Sequence, residues 1–373
     1  MMTTQPSVGA HYLLTAVAVS LLAGCGGQQK ETGNADIRFE HAISEPLVSH
    51  VYTADPSARV FDGRIYIYPS HDIDSGVPQS GQGDHFDMQD YHVFSMDSVG
   101  GDVTDHGVAL KLADIPWASR QLWAPDAAYK EGTYFLYFPA KDSADVFRIG
   151  VATAETPGGP FVAEAEPIKG SYSIDPCIFT DVDGVSYLYL GGIWGGQLQR
   201  WAAGSYNPEG SSTDLGTDSL PALTPKMARL TEDMLQFDEA LNDILIIDEE
   251  GNPLLTGDHD RRFFEGPWVH RYRDTYYLSY STGDTHKLVY ATADNPYGPF
   301  VYRGVLMTPV IGWTTHHSIT MHHGKWWLFY HDTELSGGET HLRNMKVAEL
   351  TYREDGTIET IHPYASAAEP HKQ

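Results

Sequence analysis

The stretch ADPSARVFDGRIYIYPSHD, residues 54–72, decides the fold. An acidic opening, Asp55-Pro56, leads into a short strand; Phe61-Asp62-Gly63 reads as a hairpin turn; Ile65-Tyr66-Ile67-Tyr68 returns as a second strand rich in aromatic residues. The plan recurs in APDAAYKEGTYFLYFPAKD (124–142), IDPCIFTDVDGVSYLYLGG (174–192), EGPWVHRYRDTYYLSYSTGD (265–284) and HHSITMHHGKWWLFYHD (316–332). Their turns fall at Lys130-Glu131-Gly132, Asp183-Gly184, Arg273-Asp274 and His323-Gly324. The second and fourth units are each followed by a matching strand and turn, IGVATAETPGGPF (149–161) and LVYATADNPYGPF (288–300).

Five units spaced by roughly 50–90 residues predict an all-β, five-bladed β-propeller, each blade a small antiparallel sheet around a central channel. A β-sandwich with similar hairpins is the plainer alternative; the repeated opening of each unit favours the propeller. The innermost strand of a blade lines the channel, so the residue opening each unit is expected near one mouth. Those residues are Asp55, Asp126, Asp175, Glu265 and His316, drawn from five distant parts of the chain.

Four carboxylates and a histidine at one mouth suit glycoside hydrolysis. That reaction needs one protonated carboxyl to protonate the leaving oxygen and one ionised carboxyl to activate water or attack the anomeric carbon. The acid keeps its proton near neutral pH only if burial or a like charge raises its pKa. Taken singly, each residue has a plainer role. Asp55-Pro56 and Asp175-Pro176 are ordinary turn openers, Glu265 is compatible with a rim, and His316 and His317 with structural histidines. The apolar neighbours Phe263, Phe264 and Trp268 favour a partly buried Glu265, and the repeat register draws the set together.

Carried by the ADP opening (54–56), SIDP (173–176) and EGPW (265–268) in that order, the chain resembles glycoside hydrolase family 43 from about Val51 to Tyr352. The stretches GRIYIYPSHD, GDHFDMQDYHVFSMDSV, GGIWGGQLQRW and GWTTHHSI look like bacterial members described as β-xylosidase and α-L-arabinofuranosidase. The resemblance implies that Asp55 is the general base, Glu265 the general acid, and Asp175 the residue that orients the acid and raises its pKa. It makes His316 the channel-centre histidine that holds a metal, usually calcium, through water. It assigns Arg343, in HLRNMKV, and Trp123 to substrate contact, and leaves Asp126 a supporting place in substrate binding. The family is inverting, so Asp55 is expected to activate a water. The expected reaction is exo-release of terminal xylose and/or arabinose from xylan and arabinoxylan oligosaccharides, with no organic cofactor.

The rest of the sequence is consistent with this. Of 373 residues, 41% are hydrophobic and 20% charged, which reads as globular. The plentiful Gly (36) and Tyr (22) suit many strands and tight turns. A formal charge of −26 disfavours a nucleic-acid partner and is immaterial to a neutral sugar. Residues Tyr12 to Ala23, YLLTAVAVSLLA, have the length of a signal-peptide apolar region and are too short to span a bilayer. They run into Leu22-Ala23-Gly24-Cys25, which resembles a bacterial lipobox, although no Lys or Arg precedes the apolar run. The expected organisation is a lipoprotein signal peptide over 1–25, a linker over 26–50 and a catalytic propeller over 51–373. Cys25 would carry a lipid anchor after export across the inner membrane, on the periplasmic or outer-membrane side. Acylation of Cys25 would leave Cys177, the other of two cysteines, without a disulfide partner.

Three other functions compete. A non-catalytic glycan-binding propeller lipoprotein would use the aromatic residues but would not need Asp55, Asp175 and Glu265 together. An endo-arabinanase or a galactosidase of the same family would differ in pocket closure, which depends on loops 72–90 and 193–220. A metal hydrolase using His85, His316, His317, His322 and His323 finds no recognised ligand spacing among them.

Overall fold

The computed structural model describes residues 42–364 apart from positions 215 and 314. The expected signal peptide, the lipobox at Cys25 and the linker up to residue 41 lie outside the described residues. Three blades are four-stranded antiparallel sheets built in chain order from the inside out, a fourth adds a short parallel strand, and the fifth has three strands. Blade I is β1 (Tyr52–Phe61), β2 (Arg64–Asp72), β3 (Asp90–Met96) and β4 (Thr104–Lys111). Blade II is β5 (Asp126–Lys130), β6 (Thr133–Lys141), β7 (Phe147–Ala154) and β8 (Val162–Ala163). Blade III is β9 (Cys177–Thr180), β10 (Ser186–Leu190), β11 (Lys226–Arg229) and β12 (Asn242–Asp243). In blade IV, β14 (Glu265–Tyr272), β15 (Thr275–Ser281), β16 (Leu288–Ala293) and β17 (Phe300–Met307) are joined by the short parallel strand β13 (Ile246–Ile247). Blade V has β18 (Ser318–His322), β19 (Lys325–Asp332) and β20 (Asn344–Leu350). The inner strands touch in a ring: β1 meets β5, β5 meets β9, β9 meets β14, β14 meets β18, and β18 meets β1. This is the five-bladed propeller expected from the repeats.

The turn chemistry explains the hairpins. Asp62-Gly63, Glu131-Gly132 and His323-Gly324 all have positive φ at both positions, the backbone of the tight turn whose twist matches the flanking strands. The strands bury apolar residues on both faces, as in TYFLYFPAK of β6, because each blade packs on a neighbour on either side. Apolar side chains therefore fill the wedges between blades, with Leu136, Phe138 and Tyr91 between blades I and II and Leu278, Tyr280 and Trp268 in the largest cluster.

The ring is closed by the start of the domain. Leu47 N–H donates to Met345 O at 2.9 Å, Val347 N–H donates to Ser44 Oγ at 3.3 Å, and Thr53 N–H donates to Arg343 O at 2.8 Å. Residues 42–50, expected as the end of a linker, thus lie against blade V, and the folded domain takes them in. The reason is apolar burial: Val48 is buried, and Leu47 packs with it beside Phe329 and Met345.

Candidate active site

Two inner strands are broken where the acidic residues sit. The β1–β2 register shifts between Ala54 and Ser57, and the β14–β15 register between Glu265 and Trp268. Each shift spans an X-Pro pair, whose proline offers no N–H to the ladder. Asp55 has φ 50°, Asp175 φ 57° and Gly266 φ 66°. Bulges of this kind turn a side chain out of the sheet, and here they aim carboxyls at the channel mouth.

Asp55 is 7% exposed. Its Oδ2 accepts from Ser70 Oγ at 2.7 Å and its Oδ1 from Arg343 Nη1 at 3.0 Å, while its backbone N–H donates to His331 Nδ1 at 2.9 Å. Burial alone would raise its pKa. Arg343, His331, His316 and the Ser70 hydroxyl outweigh it and hold the carboxyl below its usual value, so Asp55 is ionised and competent as a base. Arg343 is itself fixed by a two-pronged pair with Asp72, Nε to Oδ2 at 2.8 Å and Nη2 to Oδ1 at 2.7 Å.

Asp175, 3% exposed, accepts from Gly266 N–H at 2.9 Å. Burial first, then the charges of Glu265 and Asp55, hold its carboxyl well above the usual range. From sequence, Asp175 is expected as the ionised partner that raises the acid. In the structure Asp175 is the deeper of the two and takes the upward push itself. Interacting carboxyls titrate as a pair, and Glu265, half-buried at the start of β14, is the member that faces the opening.

His316 stands between them, its Nδ1 3.9 Å from Oδ1 of both Asp55 and Asp175. Burial lowers its pKa against the pull of Asp55. The donors suit a hydrated cation better than a directly ligated one, since Asp55 Oδ1 is already engaged by Arg343. His317, by contrast, points into the wall, with Nε2 2.6 Å from Ser279 Oγ.

Asp126 does not join this group. It is fully buried, with Oδ1 engaged by Ser57, Arg59 and Ala127 N–H and Oδ2 by Arg59 and Ile178 N–H. No oxygen is left for a sugar, so the supporting place in substrate binding expected of it becomes a structural one. Trp123 packs among aromatic side chains. Its Nε1 donates to Phe86 O at 2.7 Å, and its ring packs on Phe147 at 4.7 Å and Phe86 at 6.1 Å. Phe86 in turn lies under the Arg343 guanidinium at 4.9 Å.

Sequence reasoning missed Asp72, Ser70 and His331, which hold Asp55 and Arg343 in place. A signal was there: PSHD (69–72) ends the second strand of the first unit as FYHD (329–332) ends that of the fifth. It also missed Trp194 and Trp313, ring centroids 5.8 Å apart, with Trp194 packed on Phe264 beside Glu265. The two loops that decide closure meet: Gln82 Nε2 donates to Ser212 O at 3.1 Å, and a Cβ on Gly195 would stand 2.9 Å from Gln82 O.

A five-bladed propeller with an ionised, arginine-held aspartate and two further interacting carboxyls at one mouth has the parts of a glycoside hydrolase. The profile of glycosyl hydrolases family 43 matches residues 45–358, and the chain belongs to that family. It is 56% identical to a xylosidase/arabinosidase of Bacteroides ovatus over 316 residues, 84% of this chain and 96% of that protein. It is also 56% identical to a xylosidase/arabinosidase of Humicola insolens over 324 residues, 85% of this chain and 99% of that one. Among solved structures, a family 43 β-xylosidase/α-arabinofuranosidase from a compost microbial metagenome, in calcium-free complex with xylotriose, is 66% identical. It superposes with a TM-score of 0.86 over 87% of this chain and 99% of its own.

Proposed function

We propose that this enzyme releases terminal xylose and/or arabinose from xylan and arabinoxylan oligosaccharides with inversion, Asp55 serving as general base and Glu265 as general acid. The observation that carries the reading is the opposite treatment of two buried carboxyls at one mouth: Asp55, held by Arg343, is pushed down, and Asp175 is pushed up by burial and by the charge of Glu265. Separated pKa values are how one site runs base and acid chemistry together. Asp55 takes a proton from a water that attacks the anomeric carbon. The bond from that carbon to the leaving oxygen breaks, and Glu265 protonates the oxygen. Asp175, fixed by Gly266 N–H, orients the acid. The contact between loops 72–90 and 193–220 supports a pocket for one terminal sugar, hence exo-action. The xylose or arabinose assignment rests on what the relatives are named for and on the xylotriose complex.

His316 would hold a calcium ion through its water shell, and such an ion would supply positive charge near the base. Export and lipid anchoring at Cys25 belong to the same proposal, on the strength of Leu22-Ala23-Gly24-Cys25. Proton NMR of the sugar first released from nitrophenyl β-xyloside and α-L-arabinofuranoside tests the reaction. The anomer opposite to that of the substrate is expected; the retained anomer removes Asp55 from the role of base.

A further inference from the structure

Blade I carries a second group of chemistry-bearing side chains that the sugar site does not use. Three of the chain's 18 histidines converge there on two carboxylates. His71 lies at the end of β2, next to Asp72. Successive side chains on a strand point to opposite faces, so while Asp72 reaches Arg343, His71 faces away from it. Asp90 and His92 are two apart on β3 and share a face. One ligand atom each from His71, Asp90 and His92 lie within 4.8 Å of one another. His71 Nδ1 is 2.6 Å from Asp90 Oδ1, and the two imidazole centroids are 4.7 Å apart.

A further carboxylate stands behind this group. Asp105 Oδ1 lies 3.2 Å from His92 Nδ1 and accepts from Gly107 N–H at 2.7 Å, while its Oδ2 lies 2.7 Å from His50 Nε2. Asp105 thereby holds the His92 ring through Nδ1. Metal-bound histidines are held in this way by a carboxylate on the second nitrogen. The β3–β4 register slips on both sides of His92, a distortion of the sort that re-aims a side chain.

We propose that His71, Asp90 and His92 bind a divalent transition ion, zinc being the best match, with Asp105 as the residue that positions His92. Two imidazoles and one carboxylate are a borderline donor set that suits zinc, whereas calcium and magnesium take oxygen ligands. At zinc–ligand distances of about 2.0–2.1 Å, tetrahedral donors stand about 3.3 Å apart. The His71–Asp90 contact must open and the longest separation must contract, which half-buried side chains on adjacent strands accomplish by rotation. Water fills the fourth position. The ion would clamp β2 to β3 at the strand end that presents Asp72.

The test is calorimetric titration of the chelator-treated enzyme with zinc chloride, and separately with calcium chloride, for the wild type, His92→Ala, His71→Ala and Asp105→Asn. Circular dichroism and thermal unfolding without metal establish that each variant is folded. The expected result is one zinc per chain, not displaced by calcium. Affinity should fall about tenfold or more in each variant, Asp105→Asn included, with metal-free glycosidase turnover unchanged. Anomalous scattering at the zinc edge should place the ion at these residues. Absence of zinc binding, equal binding by wild type and the histidine variants, or an anomalous peak elsewhere would overturn the proposal.

Discussion

Asp55 and Glu265 divide the chemistry because their surroundings differ, and single substitutions separate the two roles. Glu265→Gln removes the transferable proton and keeps the shape. Turnover of an oligosaccharide, a poor leaving group, should fall by roughly 10²–10⁴. Turnover of an activated aryl glycoside, which needs little protonation, should fall far less; an equal and slight loss on both would remove Glu265 from the acid role. Ser70 tests the base. Its hydroxyl donates to Asp55 Oδ2 at 2.7 Å and, after Arg343, His331 and His316, helps offset the burial that raises the Asp55 carboxyl. In Ser70→Ala the carboxylate loses that support and its pKa rises. Because the base works only when ionised, the acid limb of the kcat/KM profile should move to higher pH while the alkaline limb stays. An unmoved acid limb would detach Asp55 from that ionisation. The carboxylates were legible from sequence because each opens a repeat. Ser70, Asp72 and His331 were not, because Ser70 on β2 and His331 on β19 both reach Asp55 on β1, while Asp72 reaches Arg343 just before β20, and the shared PSHD and FYHD endings do not state which strand ends meet.

At the scale of elements, hairpins and blades were legible from turn residues and apolar runs, whereas the bulges were not. Asp55-Pro56 reads locally as a turn opener and Glu265 as a rim residue, and only the closed ring shows that both sit at breaks in an inner strand that aim carboxyls into a channel. Gly266 shows what such a break demands. Its φ is 66°, and a Cβ there would stand 3.2 Å from Cδ2 of His316, while its N–H supports Asp175. Gly266→Ala therefore meets both left-handed strain and the central histidine. Strain of this kind costs about 1–3 kcal/mol, and relief by shifting the backbone would move the Asp175 hydrogen bond. Thermal unfolding should show the loss of stability, and kcat should fall with Glu265 and Asp55 both intact. Wild-type kcat and stability together would mean that the bulge tolerates a side chain and does not set the geometry.

At the scale of the whole molecule, the four carboxylates that open blades are not equivalent, and the difference lies in what the ring closes around. Arg59 of blade I reaches Asp126 of blade II, donates to Ile178 O of blade III at 2.7 Å, and lies 4.1 Å over the Trp268 ring of blade IV. Trp268 Nε1 in turn donates to Ile319 O of blade V at 3.1 Å. All five blades thus meet in one buried chain of contacts, and Asp126 supplies the negative charge that Arg59 needs there. Sequence alone set Asp126 beside the other carboxylates, because the opening position was the same and the arginine that claims it lies 67 residues away. Asp126→Ala leaves Arg59 in the channel wall without its counter-ion and strips Ile178 N–H and Ser57 of their acceptor. Breaking a buried pair from one side costs about 3–5 kcal/mol. Denaturant unfolding should show a loss of that order, while kcat/KM per folded molecule on an aryl xyloside stays within a small factor of wild type. The opposite pattern, full stability with lost turnover, would return Asp126 to the sugar. Ser57→Ala separates the two further: it removes one hydroxyl that Asp126 accepts from and should cost about 0.5–1.5 kcal/mol with no kinetic effect, because its burden falls on the junction between blades and not on the pocket.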